Sequence, residues 1–411
     1  MKKTLVLIFL VLSSYINTYS QNVNQDAIFK PRNAKTKKSG KQVEKSKINV
    51  ALLLPLFYEN IDELSFNEYN IDERRSRHYK CFSYISFYEG ARIALDCLEK
   101  QGYNVSLYVF DVGENDCKKM QKALDYPAMK DLDIIIPLVF KQSFDLASKF
   151  SQEHNIAIVN PMSANEDILS NPYVFKIQPD NLAMSTSLIK YIKSKMNGTK
   201  ILLIYDDKYQ SKEVVDFWKT ELPKVSDKWT ILNYRKSSFK IKNYIDKKGN
   251  TFVINLIDRG NDKDNKQYCN QLINILNQTK ADITLFSYYN WLNYIGNDFK
   301  LLQDLDFHFA LSYYNDYTNS NFVEFVKQYR KNFKSEPDKI YASLAYDIIT
   351  YFVPAIKQKG MDFINDPKAT NETDMINRYR FIRKSPQYGW QNANATIYKM
   401  DNYKIKAEWS F

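Results

Sequence analysis

The chain has 411 residues, 44% of them hydrophobic, with 31 Tyr, 25 Phe and only 10 Gly. That length accommodates two domains with sizeable cores, and scarce glycine argues against a mechanism built on a glycine-rich phosphate loop. Of the net charge of +11, Lys2 and Lys3 carry two and residues 21–47 six, so residues 48–411 hold only +3, which excludes a nucleic-acid groove in the fold as the source of the basic balance.

Met1–Ser20 reads as a secretory signal peptide: Lys2-Lys3, the apolar run Leu5–Leu12, then the small Ser20 before Gln21. The apolar run is too short to span a bilayer comfortably, and no Cys stands at the cleavage point for lipid anchoring. A periplasmic protein with no stable membrane insertion after cleavage is expected. Residues 21–47, Lys-rich around Lys35–Lys41, read as a disordered basic linker.

Ile48–Leu56 is an apolar run of the kind buried on both faces of a parallel sheet. A long charged loop, Glu59–Lys80, precedes a helix expected over Ser83–Gln101 and stopped by Gly102. Strands follow at Val105–Phe110, Ile134–Ile136 and Ile156–Val159, with helices at Asp116–Leu124 and Ser143–Glu153 between them. Asn171–Ile177 is an extended segment with no helix before it and suits a passage into another domain. The alternation restarts with helix Asn181–Lys195, strand Lys200–Tyr205, helix Ser211–Leu222, strand Trp229–Tyr234, a short helix near Ile241–Lys247 and strand Thr251–Ile257. Helix Lys266–Gln278, strands Ile283–Ser287 and Phe307–Tyr313, helix Phe322–Phe333 and the apolar helix Ile340–Lys359 come next. The chain ends in a hairpin turning at Asp401-Asn402. Alternating strand and helix predicts an α/β fold with open, mostly parallel sheets.

Four cysteines fit an oxidising compartment without forming a dense framework, and their spacing matches no zinc pattern. Cys97 and Cys269 fall on apolar stripes and read as buried thiols; a Cys81–Cys117 disulfide is the expected one among the pairings four cysteines allow. His78, His154 and His308 neighbour no nucleophile pattern, and no G-x-S-x-G, H-E-x-x-H or Walker sequence occurs, so neither an enzyme nor a cofactor is expected. Strand ends carry more information, because open α/β sheets bind ligands beyond the carboxyl ends of their strands. Those ends are Phe57-Tyr58, Asp111, Phe140–Ser143 and Met162–Ala164 in the first half, and Tyr205–Tyr209 and Asp258-Arg259 in the second.

Several of these segments resemble the type I periplasmic-binding-protein family of branched-chain amino-acid receptors: Val50–Pro55, Phe87–Ala91, Ile134–Leu138, Asn160–Ser163, Asn171–Phe175 and Ala345–Asp347. The likeness covers residues 48–411 and is greatest to binding-protein-like modules of Bacteroidetes, often found behind peptidoglycan-binding LysM repeats. It implies a two-lobed fold, each lobe a mostly parallel sheet flanked by helices, joined by three crossovers. The implied first lobe is 48–165 with 258–365, and the second 166–257 with 366–411. It further implies that Phe140 and Met162-Ser163-Ala164 hold a ligand carboxylate, that Tyr209 stacks on the ligand, and that Asp258 meets its ammonium. Here Val139–Gln142 replaces the family's Ser-rich gripping loop, and Ile136 its Gly before the proline.

The function expected on these grounds is an exported solute-binding protein that closes over a small polar ligand, an amino acid or similar, for an ABC-type permease or a sensor. The alternative is an envelope interaction module of the same fold that binds a peptidoglycan-synthesis or other envelope protein.

Overall fold

The computed structural model of the protein describes residues 45–58, 77–195, 199–209, 212–296, 298–367 and 374–409. The expected signal peptide, most of the basic linker and most of the long loop after the first strand lie outside the described residues.

Two sheets of seven strands carry the fold. The first holds β1 (Ile48–Leu54), β2 (Val105–Asp111), β3 (Ile134–Pro137), β4 (Ala157–Asn160) and β5 (Val174–Lys176), closed at one edge by β11 (Phe381–Ile382) and β12 (Trp390–Asn392). The second holds β6 (Lys200–Tyr205), β7 (Trp229–Asn233), β8 (Thr251–Asn255), β9 (Ile283–Ser287) and β10 (His308–Leu311), closed by the antiparallel hairpin β13 (Thr396–Asp401) and β14 (Lys404–Trp409). The spatial orders, β11-β12-β5-β4-β3-β1-β2 and β14-β13-β10-β9-β8-β6-β7, repeat one plan. In each, the winding reverses where β1 meets β3 or β6 meets β8, both parallel pairs.

Each sheet is covered on both faces, and the period of two decides which residue goes where. Val50, Leu52 and Leu54 pack towards α1 (Arg77–Lys100) and α8 (Tyr341–Lys359). Ala51 and Leu53 pack the other way, towards α2 (Cys117–Leu124) and α3 (Lys141–His154). Likewise Leu202 and Ile204 face α6 (Asp262–Asn277), while Ile201 and Leu203 face α4 (Asn181–Lys195) and α5 (Lys212–Glu221). Each such Val, Leu or Ile side chain contributes roughly 1.5–3 kcal/mol of burial. α8 is buried nearly all round because it lies between the first sheet, α1 and α7 (Ser320–Phe333). It meets α1 at Gly90, where an added Cβ would stand 1.9 Å from the carbonyl oxygen of Ala342. Gly90 thus permits the close approach of the two helices.

The chain crosses between lobes three times, at 177–180, 312–319 and 393–395. These positions correct the expected boundaries. β5 pairs in parallel with β4, so the first lobe runs on to Lys176. β9 and β10 extend the second sheet and do not return to the first; only α7 and α8 do. β11 and β12 then complete the first sheet, leaving the terminal hairpin alone to the second. Strand–helix units of the two lobes are locally alike, so nothing in Ile283–Ser287 itself says which sheet receives it.

Cys81 and Cys117 are not joined. α1 starts at Arg77, ahead of the expected Ser83, which puts Cys81 inside the helix and buried, while Cys117 is exposed at the start of α2. The hairpin turn is one residue later than expected: Asn402 and Tyr403 carry positive φ of 49° and 59°, the backbone of a type I′ turn.

Candidate ligand-binding site

The carboxyl edge of the first sheet is built from loops whose backbone donors are satisfied internally. The Asp111 carboxylate accepts the amides of Leu56, Phe57 and Tyr58 at 2.8, 3.1 and 2.8 Å, fixing the turn after β1. α3 begins after Phe140, which offers no capping side chain. Asn115 from the loop after β2 serves instead, its Oδ1 accepting from the amides of Gln142 and Ser143 at 3.2 and 3.4 Å. The amide of Phe140 donates to the Glu114 carbonyl at 2.6 Å. After β4, Asn160 Oδ1 accepts from Met162 and Ser163 at 3.1 and 2.7 Å. Ala164 gives its carbonyl to Lys176 Nζ at 2.8 Å. Lys176 is wholly buried, and that burial lowers its pKa against the opposing pull of Asp180 and Glu166. This edge exposes three large apolar side chains, Tyr58, Phe140 and Met162, beside the polar Asn115, Lys141 and Gln142.

The second sheet's edge is different. After β6, Asp206 holds Arg235 through both carboxylate oxygens at 2.9–3.2 Å, and Asp207 holds Lys236 at 3.0 Å. Next to them the Tyr209 ring is flanked by Lys208 Nζ at 5.0 Å and the Arg259 guanidinium at 5.8 Å. Arg259 also lies over Tyr268, 4.8 Å from its ring centre. Its neighbour Asp258 turns away, its Oδ1 accepting from Asn265 Nδ2 at 2.7 Å and the Gly260 amide at 2.9 Å.

Beyond β8, β9 and β10 a cavity of about 740 Å³ opens against α4, the first two crossovers and the chain leading into α8. Its wall is made by one tetrapeptide used twice. Ser287-Tyr288-Tyr289-Asn290 begins on the last residue of β9, and Ser312-Tyr313-Tyr314-Asn315 follows β10. Tyr288 donates its hydroxyl to the Leu256 carbonyl at 2.8 Å. The Tyr289 ring meets Phe309 at 5.3 Å and Tyr314 edge-on at 6.0 Å. Ser312 donates to Gln178 of the first crossover at 3.3 Å, and Asn315 to the Lys339 carbonyl ahead of α8 at 2.7 Å. The amide of Tyr314 donates to Asn377 Oδ1 at 3.0 Å, and Asn377 is itself held by the buried Asp347 of α8. Burial pushes the Tyr314 hydroxyl up to about 12 and Tyr288 above its ordinary value, so both stay neutral donors at physiological pH.

Of the residues singled out in the sequence, Asp258 lines this cavity. Phe140, Met162, Ser163 and Ala164 form the first lobe's carboxyl edge, and Tyr209 stands beside Arg259 at the second lobe's reversal point. The tyrosine wall went unread, although the repeated Ser-Tyr-Tyr-Asn closing two successive strands is a signal visible in the sequence. Among the described residues no cluster of three or more His, Cys, Asp or Glu offers a metal site, and no helix is long and apolar enough to cross a membrane.

No protein-family model and no curated protein matches the chain. Solved structures do. A Rhodospirillum rubrum structure assigned to branched-chain amino acid ABC transport superposes with a TM-score of 0.61 at 12% identity, covering 88% of this chain and 99% of that one. An ABC-type branched-chain amino acid transporter structure from Rhodopseudomonas palustris gives 0.56 at 15% identity, covering 89% and 95%. An ABC transporter substrate-binding protein of Desulfitobacterium hafniense, solved in complex with Leu, gives 0.52 at 14% identity, covering 88% and 99%. At such identities the likeness is one of fold: two α/β lobes arranged as in type I periplasmic binding proteins.

Proposed function

We propose that this chain is an exported solute-binding protein whose two lobes close over a small ligand and present the closed form to a transporter or sensor. The observation that carries the reading is the tyrosine-walled cavity of about 740 Å³ at the junction of the lobes, inside the roughly 300–1,000 Å³ range of small-molecule pockets. The first two crossovers border it and with the third form a hinge, and the exposed Tyr58, Phe140 and Met162 give the opposite lobe apolar groups to bring down on the ligand. The cavity offers ring faces and amide side chains, which suit binding and orientation rather than bond breaking. Neutral tyrosine hydroxyls and Asn290 supply hydrogen bonds, while Asp258 favours a ligand with a donor or a positive group on that side.

Within this reading the basic N-terminal segment is a tether outside the inner membrane. Secreted protein whose first residue is Gln21 is the expected outcome of N-terminal sequencing, and retention of Met1 contradicts it. The ligand is sought by thermal shift across amino acids, short peptides and sugars, with Tyr289→Ala beside the wild type. A hit that raises the wild-type Tm, and not that of the variant, supports the receptor. A flat panel together with specific retention of a peptidoglycan-synthesis protein favours the envelope-module alternative.

A further inference from the structure

We infer that the second lobe carries an oxyanion subsite at Arg259, so that the ligand bears a carboxylate or phosphate group gripped by the second lobe and not by the first. This deepens the solute-binding reading and rests on it.

Two independent observations converge. In the first lobe seven loop amides are already spent: those of Leu56, Phe57, Tyr58, Gln142, Ser143, Met162 and Ser163 donate to Asp111, Asn115 and Asn160. Its nearby cation Lys141 is held between Asp145 and Asp167 at 3.0 and 3.2 Å. An acidic group arriving there meets exposed rings, a thioether and the Asn115–Gln142 side-chain pair, whose Asn115 Nδ2 already donates to Gln142 Oε1 at 3.0 Å.

The second lobe has kept its donors. Arg259 Nε is shut off from solvent with no acceptor, and among the described residues the guanidinium makes no hydrogen bond or ion pair. Arg235, one loop away, spends the same group on Asp206. The Arg259 guanidinium lies 5.8 Å from the Tyr209 ring centre and 4.8 Å from that of Tyr268, cation–π contacts that restrain the group without using any N–H. A planar fork held this way is pre-organised for the two oxygens of a carboxylate or phosphate. Lys208, on the same Tyr209 ring, adds a second positive charge. The place is also right: Tyr209 follows β6 and Arg259 follows β8, the pair of strands at which the second sheet reverses its winding. Asp258, the residue before Arg259 on the same loop, lines the cavity, so the proposed subsite adjoins the cavity and lies outside its lining.

The test titrates the exported chain with inorganic phosphate, 3-phenylpropionate and the neutral 3-phenylpropanol, by calorimetry at fixed ionic strength. Arg259→Met removes the charge while keeping a side chain between the rings; Arg259→Lys keeps charge without the fork; Arg330→Gln, a surface change paired with Glu336, is the control. The wild type and Arg330→Gln are expected to bind one of the two anions, which says whether carboxylate or phosphate is preferred. Arg259→Met should weaken that binding by about 10-fold or more, with Arg259→Lys between. If Arg259→Met does not fold, Arg259→Lys carries the comparison. Equal anion affinity in the Arg259 variants and the wild type overturns the subsite, as does a wild type that binds neither anion. A wild type that responds to the neutral alcohol and to no anion loses the subsite while keeping the solute-binding reading.

Discussion

Replacing Gly90 with Ala sets two effects of known sign against each other. Alanine in a helix interior is favoured over glycine by about 1 kcal/mol, so propensity alone makes the variant more stable. The added Cβ, however, would lie 1.9 Å from the Ala342 oxygen and 2.7 Å from its carbonyl carbon. Both are backbone atoms of α8, so no side chain can swing aside. α1 and α8 must separate by about an ångström or more, and over-packing of this kind typically destabilises by about 1–3 kcal/mol, with further loss along a contact that includes Phe87, Ala91 and Ala94. The net expectation is a loss of about 2 kcal/mol. Urea unfolding should show a lower midpoint at unchanged slope, and calorimetry a Tm lower by several degrees. Because Ile340 and Lys339 lead into α8 and line the cavity, ligand response should weaken as well. Gly102→Ala is the comparison: its φ of +86° strains any side chain but nothing lies within 4 Å, so about 1 kcal/mol is lost with no effect on the cavity. A Gly90→Ala protein as stable as the wild type, or more so, would refute the close approach.

Asp347 is buried and its carboxyl is pushed up to about 7 by desolvation, outweighing the amides of Ile376 and Asn377 that donate to it. A folded-state pKa above the unfolded one means its contribution is fully present below about pH 4 and is lost as pH rises through about 7, on the order of 4 kcal/mol in all; chemical denaturation across pH should show that slope in the wild type and not in Asp347→Asn. Lys176→Met removes the donor to Ala164 and leaves Asp180 and Glu166 without their buried cation, so a loss of about 2 kcal/mol or more is expected by urea unfolding; an unchanged midpoint contradicts the pairing. Asn115→Ala uncaps α3 and should destabilise by about 1 kcal/mol, with faster hydrogen exchange at Gln142 and Ser143; protected amides in the variant would show that Asn115 is not their partner.

The first strands were legible because burial on both faces leaves an uninterrupted apolar run, as in Val50–Leu54 and Ile201–Ile204. The crossovers were not, since a parallel strand–helix unit looks the same whichever sheet it joins. Placing the second crossover near residue 257 put β9 and β10 in the first lobe, so the ends of those two strands, with Tyr288, Tyr289, Tyr313 and Tyr314, were not among the expected site residues. β11 and β12, two and three residues long, are too short to show any period. The strand-end rule pointed to Asp258, which lines the cavity, and to Tyr209, which is not among its lining residues. It did not foresee Asn115 and Asn160 occupying amides of the first lobe, because the partnership of Asn115 with α3 spans 27 and 28 residues of chain.

Filling the cavity tests the receptor reading most directly. Leu311 lines it and is partly exposed there, so Leu311→Trp places a large ring in the ligand's space without opening the core. Wild type and variant are scanned thermally against fractions of a small-metabolite extract. A ligand at about 100 times its Kd stabilises by about 2.7 kcal/mol, a rise of several degrees. The expected result is a fraction that raises the Tm of the wild type and leaves Leu311→Trp unmoved. Equal shifts in both proteins, or no shift from any fraction, contradict a ligand site in this cavity.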